Sequence, residues 1–469
     1  MSTTIVKKNN FDVNIIMTTE AVLFDPIYCK GYQQFQIINL FLDTLVKKDP
    51  KFGIVSGIAN KWNVNLSQTE YTFYIDPKAT FHNGDKILSR DIKHSFERHL
   101  DLKSPSIIGT YLRNIVEKIE IVEEGKIKFF LKGAYPPFLD LLSMSGYGII
   151  SAKSTELKII GSGPFVKGED KNKRTCLIKR KEYPFNSTNI ESFCITLERD
   201  VDRTISLLNS QEIDIAMGSP LEVALSERLK TELVSYPTFS LVSTHIFLNH
   251  NSVFLKKKEN RKLIRDIVLS SRDTDDILTK FDKPLDKFVP MGIMPKEYYS
   301  EDGKKMKITK SQKRNNLKIV FPYGIFLEAT VKKIVQRFEE AGFKVQYLNV
   351  KGKDLLNPIV NGDFDLIFIP YQGVIADPDG YLDLLEADSL LKKASIPSKN
   401  LLKEISKERF NKNKDERLKQ YAKSLNEFEK GLHIIPFSQN SIPIVYNKRF
   451  ILPNLNYSYH LNLREIDIK

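Results

Sequence analysis

Hydrophobic and polar positions alternate in several short segments of the first half of the chain, which is the pattern of strands with one buried face. This alternation predicts strands at 11–17, 70–76 and 191–199, and a hairpin at 118–132 that turns at Gly125. Turn residues separate the segments, and few helical patterns lie between them. We therefore expect this half of the chain to form a mixed, largely antiparallel β-structure with a few helices.

The pattern changes in the last third of the chain, where short apolar runs alternate with helical spacing. Strands are predicted at 317–322, 344–350 and 364–371, with helices between them at 327–338 and 353–361. A β-α-β-α-β order of this kind folds as a parallel sheet covered by helices. The sequence therefore predicts an α/β fold for this region.

Ligands of open α/β sheets bind in the loops at the carboxyl ends of the strands. Two loops of the predicted sheet meet this condition, 321–324 and 371–381. Both are rich in aromatic side chains and backbone polar groups and poor in nucleophiles, which favours binding over catalysis. The predicted ligand-binding residues are Phe321, Tyr323, Tyr371, Gln372, Gly373 and Val374.

An uncharged stretch at 233–255 has the length of a transmembrane helix, but it contains a proline, two histidines and two asparagines. Such residues make membrane insertion costly, so we predict paired buried strands here instead. The first thirty residues lack the apolar core of a signal peptide. The chain as written is expected to be soluble.

Length and composition indicate a globular protein with more than one domain, since the chain has 469 residues, of which 41% are hydrophobic and 28% charged. Its net charge of +13 comes mainly from lysines spread along the chain. Nucleic-acid binding would place basic residues in one motif or interleave them with aromatic residues, so no nucleic-acid partner is expected. We interpret the charge as a solvated basic surface, with non-specific attraction to polyanions as the alternative.

Residues 71–100 contain a cluster that could hold a metal, formed by His82, Asp85, Asp91 and His94. A turn, and not a shared helix, separates the two pairs, so a structural role is predicted instead. The three cysteines show no metal-binding or redox spacing, and their disulfide state is left open. No hydrolase motif is present. We therefore expect no enzyme activity, no metal and no cofactor.

Several segments, in order along the chain, resemble the family 5 solute-binding proteins, which are the dipeptide, oligopeptide and nickel receptors of ABC importers. The longest is "IANKWNVNLSQTEYTFYIDPKATFHNGDKILSRDIKHSFER" at 58–98. Further segments are "YPPFLDLL" (135–142), "GSGPFV" (161–166), "SQEIDIAMG" (210–218) and "GDFDLIFIPYQGVIADPDGYL" (362–382). The ordered set extends along nearly the whole chain and is more specific than any one segment.

The resemblance implies an α/β fold of the periplasmic-binding-protein-like class II, with two lobes and an extra inserted domain. The implied boundaries are 1–30, 151–245 and 435–469 for lobe I, 31–150 for the inserted domain, and 246–434 for lobe II. Two crossing strands, near 243–248 and 432–437, would join lobes that close over a ligand by hinge motion.

The resemblance also implies a function, that of a monomeric receptor that binds a peptide-like or other small solute. The receptor would deliver this solute to the transmembrane subunits of an ABC permease from a periplasmic or cell-surface location. A solute-sensing protein of the same fold, not coupled to a transporter, is the alternative.

Two positions depart from the dipeptide receptors of the family. Val374 occupies the place of the aspartate that pairs with a peptide's amino group, and Phe321 occupies the place of the arginine that pairs with its carboxylate. Loss of one partner from a buried charge pair costs about 2–5 kcal/mol. We therefore expect that a free dipeptide held at both ends is not the ligand.

Overall fold

A computed structural model describes the chain as two compact units. Unit 1 comprises 1–239 and 443–469, and unit 2 comprises 240–442. The structure describes residues 12–18, 24–49, 51–170, 174–185, 188–218, 221–274, 277–299, 316–323, 326–350, 352–373, 375–386, 399–453 and 462–469. These unit boundaries fall within two long strands, and the implied three-domain division stays a prediction.

The first part of unit 1 is rich in short strands. Its strands are β1 (Asp12–Met17), β2 (Val46–Asp49), β3 (Gly53–Ser56), β4 (Ala59–Val64), β5 (Glu70–Ile75), β6 (Val116–Glu123), β7 (Lys126–Leu131), β8 (Phe165–Lys167), β9 (Thr175–Lys179), β10 (Ser192–Leu197) and β11 (Ile215–Ala216). Its helices are α1 (Tyr32–Phe41), α2 (Ser89–Leu100), α3 (Gly109–Ile115), α4 (Phe138–Leu142), α5 (Val201–Asn209) and α6 (Leu221–Ala224). The predicted strands and the hairpin at Gly125 are confirmed.

The chain enters unit 2 through β12 and leaves it through β17. The elements from this point are β12 (Leu233–Leu248), α7 (Lys258–Thr274), β13 (Asp282–Pro284), α8 (Lys296–Tyr299), β14 (Asn316–Pro322), α9 (Glu328–Glu340), β15 (Lys344–Val350), α10 (Leu356–Asn361), β16 (Leu366–Gln372), α11 (Asp379–Glu386), α12 (Lys399–Glu408), α13 (Lys414–Lys430) and β17 (Ile434–Asn447). The short strands β18 (Phe450–Ile451) and β19 (Asp467–Ile468) pair with each other in unit 1.

Strand pairing in unit 1 forms a mixed sheet and a separate antiparallel sheet. In the mixed sheet β1 lies between β10 and β11 and runs parallel to both, while β9 and β8 continue the sheet in antiparallel fashion. The second sheet has the order β4–β5–β7–β6 and is antiparallel throughout. Alternate residues of β5 and β7 are buried, which explains the period-2 pattern of their sequences.

Unit 2 contains the predicted parallel α/β arrangement. Strand β14 lies between β15 and β16 and runs parallel to both, and β12 extends the sheet as an antiparallel neighbour of β16. Apolar residues of β14 and β16 pack against the buried face of α9 in one core, which includes Ile319, Ile334, Phe338 and Phe368. Gly342 follows α9 with a φ of 95°, a conformation that glycine adopts without strain, and thereby ends the helix as predicted.

The prediction of paired strands at 233–255 is wrong, because residues 233–248 form the single strand β12. These sixteen residues contain no glycine and no Asn-Gly pair, which are the residues that most often form a tight hairpin turn, and the strand continues without a break. Among the described residues, no helix is both long enough and apolar enough to cross a membrane.

The cysteines divide into one pair and one buried thiol. Cys176 on β9 and Cys194 on β10 face each other across the antiparallel pair and form a disulfide. Cys29 is a free thiol in the core of unit 1, and burial raises its pKa to about 12. A thiol with so high a pKa is a poor nucleophile.

Candidate functional site

The two predicted ligand loops follow neighbouring parallel strands in unit 2. In the pairing of β14 with β16, Ile319 lies opposite Leu366 and Val320 opposite Ile367. Because parallel strands end at the same edge of a sheet, the segments that begin at Pro322 and at Gln372 emerge from that edge together. This edge is the candidate site.

Phe321 is fully buried, in contrast to a typical ligand contact. Its ring stacks on Phe368 with centroids 4.6 Å apart, and it belongs to the apolar core of unit 2. Phe326 adds an edge-on contact with both rings. Phe321 therefore packs as a core residue in this structure, and contact between its ring and a ligand stays a prediction.

Tyr323 is the most exposed of the five predicted site residues that the structure describes, with a relative solvent-accessible surface of 60%. Its backbone N–H donates to the Val350 carbonyl oxygen at 2.9 Å, which anchors the start of the loop to the end of β15. An isolated parallel bridge connects Tyr323 with Phe326 across the loop. The backbone of Tyr323 is thus held in place while its side chain faces solvent.

The second loop is held by two tyrosines. The Tyr371 hydroxyl donates to the Gly380 carbonyl oxygen at 3.1 Å, and its ring packs edge-on against Tyr381. A Cβ atom at Gly373 would lie 2.5 Å from the Tyr381 ring, so only glycine fits there without displacement. The Tyr381 hydroxyl in turn donates to the Leu241 carbonyl oxygen.

Gln372 is the last residue of β16 and lies opposite Val242 of β12, with its side chain partly exposed. Val374, the sixth predicted site residue, lies outside the described residues. The structure thus places Tyr323, Tyr371, Gln372 and Gly373 around one edge of the sheet, with Phe321 directly beneath in the core.

Each carboxylate of the second loop, Asp377 and Asp379, is paired with a buried arginine. Arg417 of α13 is fully buried and donates to both oxygens of Asp377, each at 2.7 Å. The Nε of Arg409 donates to Asp379 Oδ1 at 2.8 Å, and this pair is buried as well. A bidentate buried pair fixes the orientation of both groups, so α13 holds the loop in place and neither carboxylate is left for an amino group.

A polar network near the same edge was missed by sequence reasoning. The Thr244 hydroxyl on β12 donates to Asn440 Oδ1 on β17 at 2.7 Å, and Asn440 Nδ2 donates to Asp282 Oδ1 on β13 at 2.9 Å. The polar run "SQNS" at 438–441 inside an apolar segment was the signal available in the sequence. Polar groups in a buried strand need partners, which is the reason to look for them.

The stretch 71–100 of unit 1 has the contacts of a scaffold. His82 Nε2 lies 3.2 Å from the Gly163 carbonyl oxygen, and burial lowers the pKa of this imidazole to about 4. Asp85 pairs with a lysine side chain, and Asp91 accepts from two backbone N–H groups. Within the described residues, no group of three or more histidine, cysteine, aspartate or glutamate side chains is placed to hold a metal ion.

A family model for bacterial extracellular solute-binding proteins, family 5 Middle, matches residues 53–390 of the chain. The chain belongs to this family. The matched residues cover most of both units, including the strands and loops of the candidate site. The resemblance inferred from the sequence is thereby confirmed, and the solved structures described below confirm the predicted α/β fold class.

Curated relatives and solved structures agree with this assignment. The probable D,D-dipeptide-binding periplasmic protein DdpA of Escherichia coli (strain K12) is 27% identical over 223 residues, which cover 44% of this chain and 42% of that protein. The match thus spans less than half of that relative's length.

Two solved structures share the fold over almost their whole length. The Helicobacter pylori periplasmic binding protein DppA in complex with peptide STSA has a TM-score of 0.80 and 18% identity, covering 97% of this chain and 98% of that one. NikA of Staphylococcus aureus in complex with Ni(L-His)2 has a TM-score of 0.79 and 15% identity, covering 98% of this chain and 100% of that one. At these identities the likeness concerns the fold alone.

Proposed function

We propose that this chain is the substrate-binding protein of an ABC-type importer, which captures a peptide-like or other small solute and delivers it to a membrane permease. The family match over residues 53–390 carries the proposal. The described relatives support it, since DdpA is a probable periplasmic D,D-dipeptide-binding protein and the Helicobacter pylori protein holds a peptide. The proposed activity is binding and release without chemical turnover.

The proposed site lies at the edge formed by Tyr323 and residues 371–373 in unit 2, and Val374 stays a predicted member of it. The carboxylates of Asp377 and Asp379 are paired with arginines, so the described part of the second loop offers no uncommitted charge to the two ends of a free dipeptide. An unpaired ammonium or carboxylate transferred from water to a closed site costs several kcal/mol. The solute is therefore one that does not depend on paired end charges at these loops.

We further propose an extracytoplasmic location, as in the periplasmic relatives. The disulfide between Cys176 and Cys194 supports this location, since disulfides persist in oxidising compartments. The permease partner and the monomeric state are part of the same proposal.

Native mass spectrometry of the protein purified under mild conditions tests the binding function. We expect a fraction of the protein to carry a small molecule that is lost on denaturation, and a thermal-shift panel to find solutes that stabilise the emptied protein. Saturating solute at about 100 times its dissociation constant adds roughly 2.7 kcal/mol to the free energy of unfolding. A protein that carries no solute and is stabilised by none in the panel would contradict the proposal.

Uptake of the identified solute separates a transport receptor from a sensor. Deletion of the gene should abolish uptake of that solute at low concentration. Unchanged uptake, with binding intact, would favour a solute-sensing protein of the same fold.

A further inference from the structure

Asp282 of β13 accepts hydrogen bonds from neutral groups only. Its Oδ2 accepts from the Thr279 hydroxyl at 2.7 Å and from the Thr279 backbone N–H at 3.2 Å, and its Oδ1 accepts from Asn440 Nδ2 at 2.9 Å. Among the described residues, no lysine or arginine pairs with this carboxylate. Burial raises the pKa of Asp282, and the hydrogen bonds from Thr279 and Asn440 act in the opposite direction.

The neighbouring cations are already paired with other carboxylates. Arg272 donates from Nε to Asp273 at 2.6 Å and from Nη2 to Asp286 at 2.7 Å. Its Nη1 donates to the carbonyl oxygens of Leu285, just after β13, and of Phe437 on β17. Lys287 lies 3.3 Å from Glu429. Two buried cations near Asp282 in the sequence, Arg272 of α7 and Lys287, are thus paired with carboxylates other than Asp282.

The network around Asp282 borders the proposed ligand site. Thr244, which bonds Asn440, lies opposite Pro370 in the pairing of β12 with β16, one residue before Tyr371. Thr244 is fully buried, whereas Asp282 and Asn440 are partly exposed. The Asp282 carboxylate thus belongs to a partly exposed pair of residues next to a buried hydroxyl.

We propose that Asp282, oriented by Asn440 and Thr279, is the anionic anchor of a ligand subsite in unit 2 that takes an ammonium or guanidinium group. The inference rests on the proposed solute-binding function and names one chemical feature of the solute. A cation placed here would gain a charge-assisted hydrogen bond and offset the cost of holding a half-buried carboxylate.

Isothermal titration calorimetry with two matched probes tests the proposal. Tetra-alanine amide carries one ammonium group and no carboxylate, and N-acetyl tetra-alanine amide carries neither. We expect the wild-type protein to bind the first probe at least 30-fold more tightly than the second, and Asp282→Asn to remove this preference. Asp282→Glu, which keeps the charge, should retain at least a tenth of the wild-type affinity for the cationic probe.

The matched control is Asp354→Asn, which makes the same change at an exposed carboxylate of unit 2 and should leave the preference unchanged. Circular dichroism melts of every variant show whether it is folded. Equal binding of the two probes by wild type, binding of neither, or an unchanged preference in Asp282→Asn would overturn the inference. The proposed function fails on a different result, the absence of any bound or stabilising solute.

Discussion

Replacement of Arg417 by methionine should destabilise unit 2 strongly, because the change leaves Asp377 without its cation. The guanidinium is fully buried and the Asp377 side chain retains only 12% exposure, so solvent cannot replace the lost partner. Breaking a buried ion pair on one side typically costs about 3–5 kcal/mol. In a unit of about 200 residues this corresponds to a fall of roughly 6–20 °C in the melting temperature.

Differential scanning calorimetry of the wild type and three variants measures this effect. Lys332→Met is the matched control, since it breaks the exposed Glu328–Lys332 pair on α9 and should cost less than about 0.5 kcal/mol. The double variant Arg417→Met with Asp377→Asn should recover part of the loss, because no buried charge then remains unpaired. The reasoning is refuted if Arg417→Met melts within 2 °C of wild type, or if the double variant is no more stable than the single one.

Three further predictions concern single positions. Gly373→Ala should lower the free energy of unfolding by about 1–3 kcal/mol, because the added methyl group overpacks against the neighbouring tyrosine ring. Gly31→Ala is the control, since Gly31 has open space around it and the change should be near neutral in urea denaturation. Equal effects of the two changes would contradict the packing argument. Burial lowers the pKa of His245 to about 3 in the folded protein, so its contribution to stability is complete above the unfolded pKa of 6.5 and is lost as pH falls towards 3. His245→Gln should therefore reduce, by roughly 2–3 kcal/mol, the loss of unfolding free energy that urea denaturation measures between pH 6.5 and 4.5. An unchanged pH dependence in this variant would contradict the prediction. The double variant Cys176→Ser with Cys194→Ser should lower the free energy of unfolding by about 3 kcal/mol, because it removes the disulfide. Alkylation of all three cysteines in the unfolded, unreduced wild type would show that the disulfide does not form.

Local periodicity predicted the elements of unit 2 well, and for a physical reason. The strand at 317–322 buries a continuous apolar run and the helix after it buries one apolar face, and both patterns can be recognised from consecutive residues. The strand at 344–350 is mostly exposed and is held by its pairing with β14. The choice of 321–324 and 371–381 as candidate ligand loops followed from the predicted parallel topology alone. Both parts of the prediction needed only short-range information.

Long-range pairing limited the prediction of the site. Arg417 lies forty residues from Asp377, and Asn440 lies still farther from Asp282, so no local pattern connects either pair. The aromatic character of Phe321 fits a pocket wall and a core equally well, and only the packing against Phe368 places it in the core. Burial and partner choice are tertiary properties that composition does not carry.

The measurement that tests the account most directly is a crystal structure of the protein with its co-purified solute. We predict that the solute contacts Tyr323 and residues 371–374, that Arg417 and Arg409 remain paired with their aspartates, and that a cationic group of the solute lies within hydrogen-bonding distance of Asp282. A solute bound by those arginines, or located away from both loops, would contradict the account.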